Sequence, residues 1–250
     1  MQNQSHPGID MTAYIPEIKN PDAIYTIYIK RFNPETDAEP HWVSYKIPHV
    51  KSMTVIEALE YLQDQGIYVA FRANCREFTC GSCAMTINGK PGLACMTLLK
   101  DGMRIEPLRG YKVLRDLVVD TSFAGEKFRE LELWPHLENP EARIEKVNMK
   151  VQERYKNIYS RCIECYSCLS ACPQSDPEST IYPGPMWMLQ IARLHEHPLD
   201  TKDRLDQADK NGVWNCAGCF ECASVCPVKL SPGSLASFLR REIIKKEVGL

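Results

Sequence analysis

Twelve cysteines fall into three groups of four, and each group has the spacing of an iron–sulfur ligand set. Cys75, Cys80, Cys83 and Cys95 read C-x4-C-x2-C-x11-C, the plant-type arrangement for a [2Fe–2S] cluster. Cys162, Cys165, Cys168 and Cys172, followed by Pro173, read C-x2-C-x2-C-x3-C-P. Cys216, Cys219, Cys222 and Cys226, followed by Pro227, repeat it. That run is the bacterial ferredoxin pattern for [4Fe–4S] clusters. Iron held with sulfide takes soft thiolate ligands, four to a cluster. In two-cluster ferredoxins the fourth cysteine of each run ligates the other cluster. The expected sets are therefore Cys162, Cys165, Cys168 and Cys226 for one [4Fe–4S] cluster and Cys172, Cys216, Cys219 and Cys222 for a second. Three redox centres in order along one chain make an electron relay.

Other uses of these thiols fit less well. The chain begins MQNQSHPGID, without a basic segment leading into an apolar core, so an oxidising compartment and a disulfide framework are not expected. Zinc sites use paired C-x2-C knuckles rather than runs of four ending in C-P. Gly81, Ser82 and Ala84 between the first ligands are small, which lets backbone amides approach the sulfurs.

The scaffold that must present these loops is legible in outline. The chain has 250 residues, 44% of them hydrophobic, enough for two cores. Ala23 to Arg31 and His41 to Ile47 read as strands joined across residues 34–40. Thr54 with Glu57 forms a capping box opening a helix whose buried stripe is Val55, Ala58, Leu59 and Leu62, ending at Gly66. Met85 to Ile87, an Asn88-Gly89 turn, and Met103 to Leu108 complete an α+β unit. The expected organisation is an arm over 1–20, a plant-type [2Fe–2S] domain over 21–120, a surface connector over 121–150 and a helical two-cluster domain over 151–250. Helices are predicted near 151–161, 184–195 and 233–247. The last, LRREIIKKEVGL, is amphipathic, with cations toward its C-terminus where the dipole favours them.

Composition narrows the function further. A net charge of −2, from 30 basic and 32 acidic residues, gives no footprint for nucleic acid. No apolar run reaches the roughly 18 residues that cross a bilayer, so a location in the cytoplasm, or peripherally on the cytoplasmic face of the inner membrane, is expected. No G-x-G-x-x-G fingerprint is present. His195 and His197 lie two apart on a helix and face different sides, which assigns them surface or capping roles. Trp187 and Trp214 are expected in the core. Arg72 and Arg76 flank the first cysteine loop and can offset its charge or meet a partner's acidic surface.

The order of motifs resembles the iron–sulfur subunit of succinate dehydrogenases and fumarate reductases. The likeness lies in RANCREFTCGSC with INGKPGLAC, in IEPLRGYKVLRDLVVD, and in NGVWNC with ASVCP, and it runs over about residues 23–245. It implies a β-grasp N-terminal domain, an all-α ferredoxin-like C-terminal domain and a flavoprotein partner carrying FAD. The dicarboxylate chemistry would belong to that partner, so this chain offers no catalytic residues of its own. Members of the family with a [3Fe–4S] centre usually lack the middle cysteine of the last run; here it is Cys219, which favours [4Fe–4S] over [3Fe–4S]. Many quinone-reducing members carry a tryptophan after the residue matching Cys172 and a histidine after the one matching Cys216; here PQSDPEST and Ala217 follow. Members with the additional cysteine often pair with a cysteine-rich, heterodisulfide-reductase-like subunit instead of a membrane anchor that serves a quinone. Three readings follow: a subunit of a quinone-linked succinate dehydrogenase or fumarate reductase, a subunit of a thiol-linked fumarate reductase, and a freestanding multi-cluster carrier.

Overall fold

A computed structural model describes residues 21–141, 143–144, 148–175 and 181–249; the arm expected over 1–20 lies outside them. β1 (Ala23–Arg31) and β2 (His41–His49) pair antiparallel, with Ile27 and Ile29 pointing inward. This is the alternation that β-branched residues support on a half-buried sheet. α1 (Val55–Asp64) starts at the capping box: the Glu57 amide donates to Thr54 Oγ1 at 3.4 Å and the Thr54 amide donates to the Glu57 carboxylate at 2.6 Å. Val55, Ile56, Ala58, Leu59 and Leu62 form its buried face.

β3 (Ala84–Ile87) and β4 (Lys90–Leu93) form a hairpin on Asn88 and Gly89, both at positive φ, as the two-residue turn requires. β5 (Arg104–Glu106), shorter than the expected 103–108, enters the middle of the sheet. It runs parallel to β1 and antiparallel to β3, giving the order β2-β1-β5-β3-β4. β6 (Val113–Arg115) and β7 (Val118–Val119) turn at the buried Asp116. Its carboxylate accepts from Arg31 Nε at 2.8 Å, from the Phe32 amide at 3.0 Å and from the Ala70 amide at 2.8 Å. That fixes the chain entering the first cysteine loop.

The stretch expected to be a surface connector carries α2 (Phe123–Glu130), and Leu131 and Leu133 are buried in a second core. The charge around them hid that pair. Arg204, itself buried, holds the segment down: it donates to the Glu132 and Trp134 carbonyls at 3.0 and 2.7 Å and pairs with the buried Asp200 at 2.7 Å. α3 (Met149–Asn157), α4 (Ser167–Ser170), α5 (Pro185–His195), α6 (Arg204–Lys210), α7 (Glu221–Ser224) and α8 (Pro232–Val248) make the second unit. α5 is buried nearly all round and packs on α6 and α8. Trp187 is in this core as expected. Trp214 is not: it is 47% exposed, its indole N–H donates to Asp209, and Arg240 lies over its ring. His197 caps a turn, its Nδ1 accepting from the Leu199 amide.

Candidate iron–sulfur sites

The first thiol set is built on a loop bent by left-handed residues Arg76, Phe78 and Gly81. Such turns aim successive amides at one point. The Glu77 and Cys80 amides donate to Cys75 Sγ at 3.4 and 3.3 Å, and Cys80 Sγ meets Ser82 Oγ at 3.1 Å. The Thr79 side chain, with those amides, holds the Cys75 thiol down at about 6. Cys83, just before β3, is buried, and burial pushes its thiol up to about 12; its neighbours are Cys95 and Cys80. Nearby, Arg76 is committed to Glu60 of α1 at 2.6 Å, and Arg72 reaches the Thr121 hydroxyl at 3.4 Å.

The two later runs repeat one backbone design. Cys162 and Cys216 each follow a single 3-10 turn, Tyr159–Arg161 and Val213–Asn215. Left-handed residues then recur at the same offsets, Glu164 and Tyr166 in one run and Gly218 and Phe220 in the other, and α4 and α7 follow. The amides of Glu164, Ser167 and Gly233 donate to Cys162, Cys165 and Cys222, and the Leu230 amide donates to Cys226 Sγ at 3.2 Å.

Electrostatic neighbours run across the repeat. Cys162, Cys165 and Cys168 have Cys226 as an electrostatic neighbour. Cys172 has Cys216 and Cys219, and Cys222 has Cys172, Cys216 and Cys219. Burial pushes the Cys162 and Cys222 thiols up to about 11 and raises those of Cys165, Cys168 and Cys172. Four thiolates gathered at such a place need a compensating cation, and iron is the soft-ligand partner that supplies it. Converging sulfurs, amides aimed at them and burial fit resident clusters. Among the described residues no three His, Cys, Asp or Glu side chains close on a single metal ion.

The sets also stand in series. Gly81 is pressed against the second loop: a Cβ there would lie 2.6 Å from the Ile163 carbonyl oxygen and 2.9 Å from Cys165 Cβ. Cys165 itself belongs to the first core. Beside this contact is a cavity of about 320 Å³ lined by Arg72, Ser82, Thr121, Glu164 and Tyr166 among others. Cys168 has Cys222 of the third set as an electrostatic neighbour. At the far end Cys219 is exposed. Sequence reasoning missed the anchoring role of Asp116, although it lies within IEPLRGYKVLRDLVVD, and that of Arg240, within the C-terminal LRREIIKKEVGL, which donates to the Cys216 carbonyl.

Comparison with known proteins agrees in outline. Residues 26–125 match the family described as a 2Fe-2S iron–sulfur cluster binding domain, and residues 154–227 match the 4Fe-4S dicluster domain. The chain is 35% identical to the fumarate reductase iron–sulfur subunit of Haemophilus influenzae, over 84% of this chain and 90% of that one. It is 36% identical to a subunit of the fumarate reductase (CoM/CoB) of Methanothermobacter marburgensis, over 89% of this chain and 45% of that protein. The chain thus spans under half the length of that archaeal relative. Among solved structures, a chain of the Mycobacterium smegmatis Sdh1 complex in its apo form superposes with a TM-score of 0.80 at 27% identity, covering 90% of this chain and 97% of that one. No helix among the described residues is long and apolar enough to cross a membrane.

Proposed function

Since the chain belongs to the family of succinate dehydrogenase and fumarate reductase iron–sulfur subunits, we propose that it relays electrons between the FAD of a flavoprotein subunit and a quinone-side subunit. The observation that carries this reading is the serial placement of three thiol sets, with Gly81 against Ile163 and Cys165 at the first junction and Cys168 within electrostatic range of Cys222 at the second. Cys75, Cys80, Cys83 and Cys95 would hold a [2Fe–2S] cluster. Cys162, Cys165, Cys168 and Cys226 would hold a [4Fe–4S] cluster, and Cys172, Cys216, Cys219 and Cys222 a second. When bound, such clusters take up and release single electrons without moving atoms far. The chain's own part is to supply the thiolates, direct amides at them, keep the inner set dry and hold the two loops in contact.

A second reading has its own support. Cys219 gives the last set four thiols, and the Methanothermobacter relative is named for a CoM/CoB fumarate reductase. In that reading the electron partner at the exposed end is a thiol–disulfide couple served by a cysteine-rich subunit rather than a quinone. The test is anaerobic purification of the complex from its source. About ten iron atoms per chain are expected, with a flavoprotein co-purifying; about six, or stoichiometric zinc, defeats the relay. Turnover with a quinone or with a thiol pair then separates the two readings.

A further inference from the structure

The second thiol set holds a hydroxyl that its motif does not announce. Ser167 follows Cys165 by two residues and opens α4. Tyr166 between them is left-handed at φ 62, which folds the chain back and returns the Ser167 side chain to Cys165. The turn is tied down: the Tyr166 carbonyl accepts from the Leu169 and Ser170 amides at 3.0 Å, and the Ser167 carbonyl accepts from the Ala171 amide at 3.0 Å. Ser167 Oγ lies 3.5 Å from Cys165 Sγ, an ordinary separation for a hydrogen bond to an atom as large as sulfur. Both residues are buried, Ser167 completely, because α4 packs against α5, α7 and β4 while Cys165 belongs to the first core. No other partner for this hydroxyl is found among the described residues. Chemistry sets the direction of the bond. A free thiol can donate to the hydroxyl, but a thiolate on iron carries no proton. With Cys165 as a ligand only the hydroxyl donates, and its O–H rotates to do so. The first set shows the same offset: Ser82 follows Cys80 by two, with Oγ 3.1 Å from Cys80 Sγ. The last set does not. The matching residue after Cys219 is the exposed Glu221, whose carbonyl and carboxylate accept from the Ser224 hydroxyl.

We propose that Ser167 is a tuning residue of the middle cluster, its hydroxyl donating a hydrogen bond to the Cys165 sulfur and raising the potential of that centre alone. Reduction adds negative charge to the cluster and its sulfurs, and burial makes that charge costly. A fixed O–H dipole aimed at one sulfur stabilises the reduced state more than the oxidised one. The bond is enclosed, so water does not replace it. A middle centre must accept electrons from one neighbour and pass them to the other, and a donor there offsets the effect of burial on its reduction. This role rests on the assignment of Cys162, Cys165, Cys168 and Cys226 as a ligand set.

The experiment is a redox titration of the whole chain, prepared anaerobically, with each cluster followed by electron paramagnetic resonance. Ser167→Ala removes one oxygen and keeps the backbone. At a fixed potential the reduced-to-oxidised ratio of the middle cluster is expected to fall about tenfold, a negative shift of ~59 mV for a one-electron couple. The other two midpoints and the iron content stay put. An unchanged middle midpoint, or an equal shift in all three, overturns the proposal. Should Ser167→Ala lose the cluster, Ser167→Thr and Ser167→Val give the second arm, since the two are alike in shape and differ in the hydroxyl. Ser167→Thr is expected to keep the midpoint and Ser167→Val to lower it; equal midpoints in the two overturn the proposal. A wild-type chain that holds no cluster at Cys162, Cys165, Cys168 and Cys226 defeats the ligand assignment itself, an outcome read from iron and spectra before any variant is made.

Discussion

Replacing Gly81 by Ala tests how the first two cysteine loops meet. Gly81 has φ +70, so any Cβ there carries the left-handed penalty of about 1–2 kcal/mol. It also has no room. The new methyl would sit 2.6 Å from the Ile163 carbonyl oxygen and 2.9 Å from Cys165 Cβ, closer than real Cβ contacts allow. Neither neighbour is the free end of a flexible side chain, so relief requires moving the backbone of the second loop, an overpacking cost of about 1–3 kcal/mol. Gly102 is the matched control: its φ is +73, and a Cβ there meets nothing within 4 Å. Gly102→Ala should therefore cost only about 1–2 kcal/mol and Gly81→Ala about 2–5 kcal/mol. At 2–4 °C per kcal/mol for a chain of this size, the cluster-loaded Gly81→Ala protein should melt roughly 2–12 °C below the control. The assay is thermal unfolding of both variants side by side, followed by cluster absorbance, together with the rate of electron exchange between the first two centres. That rate should fall in Gly81→Ala and hold in Gly102→Ala. Equal melting temperatures with equal exchange rates would refute the close junction.

Three further outcomes follow from other parts of the molecule. Cys226→Ala should abolish the signal of the cluster assigned to Cys162, Cys165 and Cys168 while sparing the one at Cys216; loss of only the latter would show self-contained runs. Arg204→Ala strands the buried Asp200 carboxylate and frees the Glu132 and Trp134 carbonyls, so a loss of about 3–5 kcal/mol is expected in chemical unfolding, and a change under about 1 kcal/mol would show the clamp to be dispensable. Burial holds His195 below its ordinary range, against the opposing pull of Glu196, Glu242 and Asp203. The unfolded chain then binds the extra proton first, so stability is full above about pH 6.5 and declines as pH falls below it. His195→Gln should flatten that limb between about pH 7 and 5.5, and an unaltered slope in urea titrations would assign the effect elsewhere.

What the sequence determined by itself was whatever depends on spacing over a few residues. The cysteine runs, the capping box at Thr54 and Glu57, the Asn88-Gly89 turn and the bounds of β1 are local, because each is set by backbone geometry within one loop or turn. α5 was legible too, since an apolar stretch opened by Gly184-Pro185 stands out against its flanks. Only the tertiary structure could place β5 between β1 and β3, because strand order is a matter of which edges meet. Leu131 and Leu133 were hidden among charges and owe their burial to Arg204, some seventy residues on. Trp214 was misread because a large ring usually gains most from a core; here it lies exposed against Arg240 on α8. Gly81 reads as a small residue in a loop until Ile163 and Cys165 are seen against it. Asp116 looks ordinary in the sequence, because a polar side chain gains its meaning from partners that burial brings within reach, and those partners lie 46 or more positions away.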